Sequence, residues 1–123
     1  MKPNIVWYDI PALDLDRAIR FYFAVLGAPV KKDVVGEIPL GWLPTEDGGQ
    51  MGCVCVAKDF KPSADGVMIY LSVNGRLKAA VAAVRENGGT VQTDIHSIAP
   101  YGFRAEVLDS EGNIIALHSE TEE

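Results

Sequence analysis

Cysteine, basic side chains and long apolar runs are all scarce in this sequence, and each scarcity removes a class of function. Only two cysteines occur among 123 residues, spaced as Cys53-x-Cys55. A disulfide framework needs more cysteines and other spacings. Two positions apart on a strand, these side chains point to one face rather than at each other. A reducing compartment is therefore expected. Eleven Lys and Arg stand against seventeen Asp and Glu, for a net charge of −6 and a pI near 4.8. The basic residues are scattered rather than clustered, which argues against nucleic acid as a partner. An acidic surface suits cationic ligands or simply keeps the chain soluble. Met1-Lys2-Pro3-Asn4 leads into a short apolar run that Asp9 interrupts, so neither a signal segment nor a membrane span is expected, and the cytoplasm is the default location.

What is present is the material of one globular domain: 48% hydrophobic and 23% charged residues in a length that can bury a core without staples. Residues 5–10 read as a strand closed by Pro11. Leu15, Ala18, Ile19, Tyr22, Val25 and Leu26 then repeat at helical period over 14–26, with Asp14 as N-cap and Gly27 just past the end. Strands are predicted at 30–35 and 37–43 around Gly36, and at 51–57 after the turn Glu46-Asp47-Gly48-Gly49. Residues 58–66 form a connector. The order then restarts with a strand at 67–73 and a helix face of Leu77, Ala80, Val81 and Val84 that stops at Asn87-Gly88-Gly89. Strands follow at 91–98, 103–108 and 113–118, and the acidic tail 120–123 is expected to fray.

A single gapless shift of 61 residues lays one half on the other: Val6 on Val67, Ala18 on Ala79, Gly27 on Gly88, Val30 on Val91, Asp33 on Asp94, Pro39 on Pro100 and Gly41 on Gly102. Trp42 falls on Phe103. The expectation is an internal duplication: an α+β domain of two tandem βαβββ modules, about 4–60 and 66–119. Together they form a curved mixed sheet around a concave cleft, with helices on the outer face. Strand alternation sorts the side chains. Val6, Tyr8 and Ile10 are expected under the helices, with Ile5, Trp7 and Asp9 toward the cleft. Met68, Tyr70 and Ser72, and Ile114, Ala116 and His118, are also expected to face it.

Two stretches carry a resemblance. The segment from Asp9-Ile10-Pro11-Ala12-Leu13-Asp14 through Arg17-Ala18-Ile19-Arg20-Phe21-Tyr22 to Leu26-Gly27 resembles the opening motif of the vicinal oxygen chelate superfamily (glyoxalases, bleomycin-resistance proteins and extradiol dioxygenases). Asp109-Ser110-Glu111-Gly112-Asn113-Ile114-Ile115-Ala116-Leu117 resembles its final turn and strand. The resemblance implies the paired βαβββ fold and, in the metal enzymes, a divalent ion at the centre of the concavity that chelates two neighbouring substrate oxygens. The ligand positions it implies fall on Trp7, Met68, Ala116 and, through the repeat, near Cys55. Trp and Ala supply no ligand and a thioether suits hard ions poorly. Hence no metal, cofactor or catalytic residue is assigned.

The cleft residues expected from this reading are Trp7, Asp9, Cys55, Met68, Tyr70, Phe103, Ala116 and His118, an apolar and aromatic lining with a few polar groups. Each has a plainer alternative. Trp7 packs or stacks on a ligand; Asp9 needs solvent or a partner, or is a general base or cation anchor. His118 is exposed or catalytic, His96 lies on the surface, and Cys53 and Cys55 are small core residues. Two functions fit. One is a metal-free binding protein for a small aromatic or cationic molecule, as the bleomycin-resistance likeness implies. The other is a lyase, isomerase or dioxygenase with an unusual metal site. A homodimer is expected from the same resemblance.

Overall fold

A computed structural model describes residues 4–123, so the N-terminal reading that rests on Met1, Lys2 and Pro3 lies outside it. The first half holds β1 (Tyr8–Pro11), α1 (Leu15–Leu26), β2 (Lys31–Val35), β3 (Ile38–Pro44) and β4 (Gln50–Cys55). The second holds β5 (Ile69–Ser72), α2 (Leu77–Glu86), β6 (Thr90–Ser97), β7 (Phe103–Leu108) and β8 (Ile114–Ser119). Each half makes its own four-stranded sheet, in the order β1-β4-β3-β2 and β5-β8-β7-β6. In each, one parallel pair joins two antiparallel ones. β1 and β5 are therefore both edge strands, and the two sheets do not close on each other. Among the described residues, no helix is long and apolar enough to cross a membrane.

The helices form where the sequence directs them. Asp14 accepts the Arg17 N–H at 3.1 Å, and Gly27 turns left-handed at φ +71° to return its N–H to Phe23. α1 and α2 then share one apolar core with the helix-facing side of both sheets. Phe21, Tyr22, Val25, Leu77 and Val84 meet Leu43, Val54, Val107, Ile115 and Leu117 there.

The halves are tied together at the ends of their helices. The Glu111 carboxylate, buried in the β7–β8 turn, accepts the N–H groups of Leu13 and Asp14 at 2.8 Å each and grips Arg17 at 2.7 and 2.9 Å. It caps a helix of the other half, where the helix dipole favours negative charge. At the far end of α1, Arg76 donates to the Val25 carbonyl at 2.6 Å. Next to Glu111, Asp109 is buried. It accepts the Tyr22 hydroxyl, the N–H groups of Glu111 and Asn113, and the Asn113 side-chain amide. Asn113 in turn donates to the Pro11 carbonyl at 2.8 Å.

Several expectations change. β1 begins at Tyr8 rather than at residue 5, and Val6 is 83% exposed instead of lying under a helix, because no strand pairs with it before Tyr8. The acidic tail is pinned. The Glu123 carbonyl accepts the Leu77 N–H at 2.6 Å, and Glu120 donates to Asn74 at 2.8 Å. Arg76, at the N-cap of α2, offers no side-chain acceptor, and the tail carbonyl takes that role.

The gapless 61-residue shift also yields to the ladders. Asp9 lies opposite Cys53, whereas Tyr70, its counterpart, lies opposite Ala116. The shift is thus 63 on β4 and β8, and Cys53 rather than Cys55 matches Ala116. The β6–β7 hairpin is the cause. Thr93 opposes Glu106, 13 positions on, where Lys31 opposes Trp42, 11 positions on.

Candidate functional site

The faces turned away from the helices differ sharply between the two sheets. On the first, Asp9, Cys53, Trp42 and Lys31 stand side by side across four strands, followed by Pro11, Cys55, Leu40 and Asp33. Leu40, Cys53 and Cys55 are buried and pack with Trp42 as a small cluster separate from the main core. Trp7 meets Trp42 edge-on with ring centroids 5.3 Å apart, a favourable aromatic arrangement. The Trp7 indole donates to Asp9 Oδ1 at 2.9 Å, and the Trp42 indole to Asp33 Oδ2 at 2.9 Å. That last bond, helped by the Val34 N–H, holds the Asp33 carboxyl below its usual range. Burial, then the Asp9 carboxylate, pushes the Cys55 thiol up. A cavity of about 430 Å³ lies over this face, against Trp7, Asp9, Trp42, Cys53, Cys55 and Phe60.

The corresponding face of the second sheet is polar. Tyr70, Ala116 and Glu106 form one row, and Ser72, His118 and Arg104 the next. Arg104 donates to Tyr70 Oη and to His96 Nε2, the latter at 3.0 Å, and lies 3.8 Å from Glu106. Its guanidinium also sits 5.9 Å from the Tyr70 ring centroid. His118 Nε2 lies 2.5 Å from the Tyr101 carbonyl.

Between the two sheets runs a cavity of about 740 Å³, bordered by the approaches to β1 and by β5. Trp7, Met51, Met68 and Tyr70 give it apolar and aromatic walls, and Glu46 and Ser72 a polar end where the Ser72 hydroxyl donates to Glu46. Trp7 borders both this groove and the cavity over the first sheet.

The eight residues expected at one cleft are thus divided. Trp7, Met68 and Tyr70 come together in the groove, Asp9 and Cys55 join Trp7 on the first sheet, and His118 borders a different cavity with Tyr101. Ala116 is fully buried. Phe103 does not face a cleft. It shares a strand face with Ala105 and Val107, which point into the core, and it packs there itself. Its supposed partner Trp42 matches Glu106 in the ladders and lies on the opposite face. Cys53 and Cys55 are buried as expected, but on the helix-free face. His96 is half-buried and bonded to Arg104 rather than free on the surface.

Glu46, Arg104 and Glu106 were not expected at these surfaces. Alternation along β7, with Arg104 and Glu106 between Phe103, Ala105 and Val107, was a signal for two of them. Nothing local marks Glu46, which arrives from a turn.

No family model matches the chain. A glyoxylase-like domain-containing protein from Didymella fabae is 30% identical over 115 residues, spanning 89% of this chain and 88% of the relative. The chain belongs to the glyoxylase-like domain family. Solved structures agree on the fold of this glyoxylase-like chain. A glyoxalase/bleomycin resistance protein from Albidiferax ferrireducens superposes with a TM-score of 0.71 at 18% identity, covering 93% of this chain and 96% of that one. A trypanothione-dependent glyoxalase I from Leishmania major gives 0.64 at 23% identity over 97% and 88%. A fosfomycin resistance protein from Listeria monocytogenes gives 0.68 at 10% identity over 97% and 94%.

Proposed function

We propose that this glyoxylase-like chain binds a small molecule in the groove between its two sheets and does so without the divalent ion of the chelating enzymes. The groove carries the reading. Its volume falls in the range of small-molecule sites, and Trp7, Met68 and Tyr70 offer apolar and aromatic contact beside the acceptors Glu46 and Ser72. A guest with an aromatic ring and a positive group fits best. Glu46 supplies the charge, Trp7 a ring face, and a desolvated cation–π contact adds about 1–2 kcal/mol. The net charge of −6 draws such guests in.

At the positions implied for metal ligands, Trp7 and Ala116 carry no donor atom, Met68 only a thioether, and the fourth, at Cys53 or Cys55, a soft thiol. That set does not fit a hard divalent ion, and no reaction step is drawn through one. The two halves are read as a duplicated module. The chain is read as pairing with a second copy through the exposed Ile5, Val6 and Val67 beside its edge strands.

Tryptophan fluorescence and thermal stability, measured against cationic and neutral aromatic probes in the presence of chelator, test the binding reading. Binding that survives chelation, weakens at least about tenfold in Trp7→Ala and loses its preference for cations in Glu46→Gln is expected. Absence of any binding, or stoichiometric tightly held metal with turnover, would favour the lyase, isomerase or dioxygenase alternative. Light scattering that finds only monomers would remove the dimer.

A further inference from the structure

We infer that the helix-free face of the first sheet is a binding site for one thiophilic metal ion of the zinc or cadmium class, held by Cys53, Cys55 and Asp9. This site lies within one sheet, and its three donor residues do not line the groove proposed for the guest. Its geometry follows from the strand. Cys53 and Cys55 are two positions apart on β4, so both sulfurs emerge on the same side, and Asp9 stands opposite Cys53 on β1. Cys53 Sγ and Asp9 Oδ1 are 3.2 Å apart, and one donor atom from each of the three residues lies within 4.8 Å of the others. Two zinc–sulfur bonds of about 2.3 Å at a tetrahedral angle need sulfurs about 3.8 Å apart, a spacing this cluster accommodates with small rotamer changes.

Three further observations favour an ion over inert packing. The thiols sit outside the main core, in a small cluster with Leu40 and Trp42. The Trp7 indole N–H fixes Asp9 through Oδ1, while among the described residues Oδ2 accepts no hydrogen bond, so the carboxylate is oriented yet keeps a free oxygen. Such outer-sphere contacts position metal ligands. Above the three donors lies the 430 Å³ cavity, which leaves a fourth position open to water or a small ligand. Two sulfurs and one oxygen select zinc, cadmium or cuprous ions over magnesium or calcium. Capture of a divalent ion releases the two thiol protons to solvent and leaves a complex of net charge −1.

The full chain, reduced and stripped with chelator, is titrated with cadmium in the absence of any guest. One equivalent is expected to raise the thiolate-to-cadmium charge-transfer absorption, zinc to displace it, and magnesium to have no effect. Cys53→Ser and Cys55→Ser are each expected to weaken binding by at least about tenfold, and Asp9→Asn by a smaller factor. Cys53→Ala and Cys55→Ala serve as alternatives if a serine variant melts early. No band with stoichiometric cadmium while both thiols titrate on unfolding would overturn the assignment. So would unchanged affinity in folded single-cysteine variants.

Discussion

Glu111→Gln tests the junction between the halves most directly. Burial pushes the Glu111 carboxyl up, but the Arg17 guanidinium, the Asp14 N–H, the Ser110 hydroxyl and the Leu13 N–H outweigh it and hold it lowered to about 2. Against an ordinary value of 4.5, that corresponds to a ceiling of about 3 kcal/mol. The Arg17 side chain is 44% exposed, so solvent screening brings the expected loss to about 2 kcal/mol. In a domain of this size the melting temperature should fall by about 6–10 °C. The folded value lies below the unfolded one, so the stabilisation is complete above about pH 4.5 and fades as pH falls toward 2. Urea unfolding of both proteins, stepped from about pH 7 to pH 3, should show a gap in midpoint at neutral pH that narrows to about half or less by pH 3, at constant m-value. A gap that is absent at pH 7, or that stays constant into acid, would refute the reasoning.

Three other outcomes follow from the same structure. Tyr22→Phe removes a hydroxyl donor from buried Asp109 and should cost about 1–3 kcal/mol in denaturant unfolding; no loss would mean that the remaining three donors satisfy this carboxylate. Gly52→Ala places a methyl 2.3 Å from the Tyr8 ring, its partner in the β1–β4 pair, so thermal melts should show a destabilised protein with disturbed tyrosine near-UV signal. In metal-free protein, Cys53 and Cys55 should react with iodoacetamide far more slowly than free thiols at about pH 8 and at the ordinary rate in urea, since burial pushes both thiols up.

The architecture was readable because its signals are local. Asp14 and Gly27 mark the ends of α1, Gly36 the first hairpin, and alternation over 103–108 the one strand whose bounds match at both ends. The site was less so, because register is set across strands rather than along them. A hairpin two residues longer moved Cys53 into the place expected for Cys55, and one step of alternation turned Phe103 toward the core. Trp7 and Asp9 stood out in the sequence as a large and a charged side chain in an apolar stretch, and the structure places both against one cavity. Their joining to Trp42 and Cys53 depends on contacts between residues up to 44 positions apart, which no window on the chain contains.

The Glu111 cap also has a consequence in time. The N–H of Leu13 meets its acceptor 98 residues further along the chain. During synthesis the first helix therefore emerges with only its local Asp14 cap, and the N–H groups of Leu13 and Asp14 wait for nearly the whole second half before their acceptor arrives. Long loops must close before such contacts repay their entropy, so folding should be slow for the chain's length. The nascent first half can lay this helix on its own sheet, but it spends that interval with the side that packs on α2 uncovered.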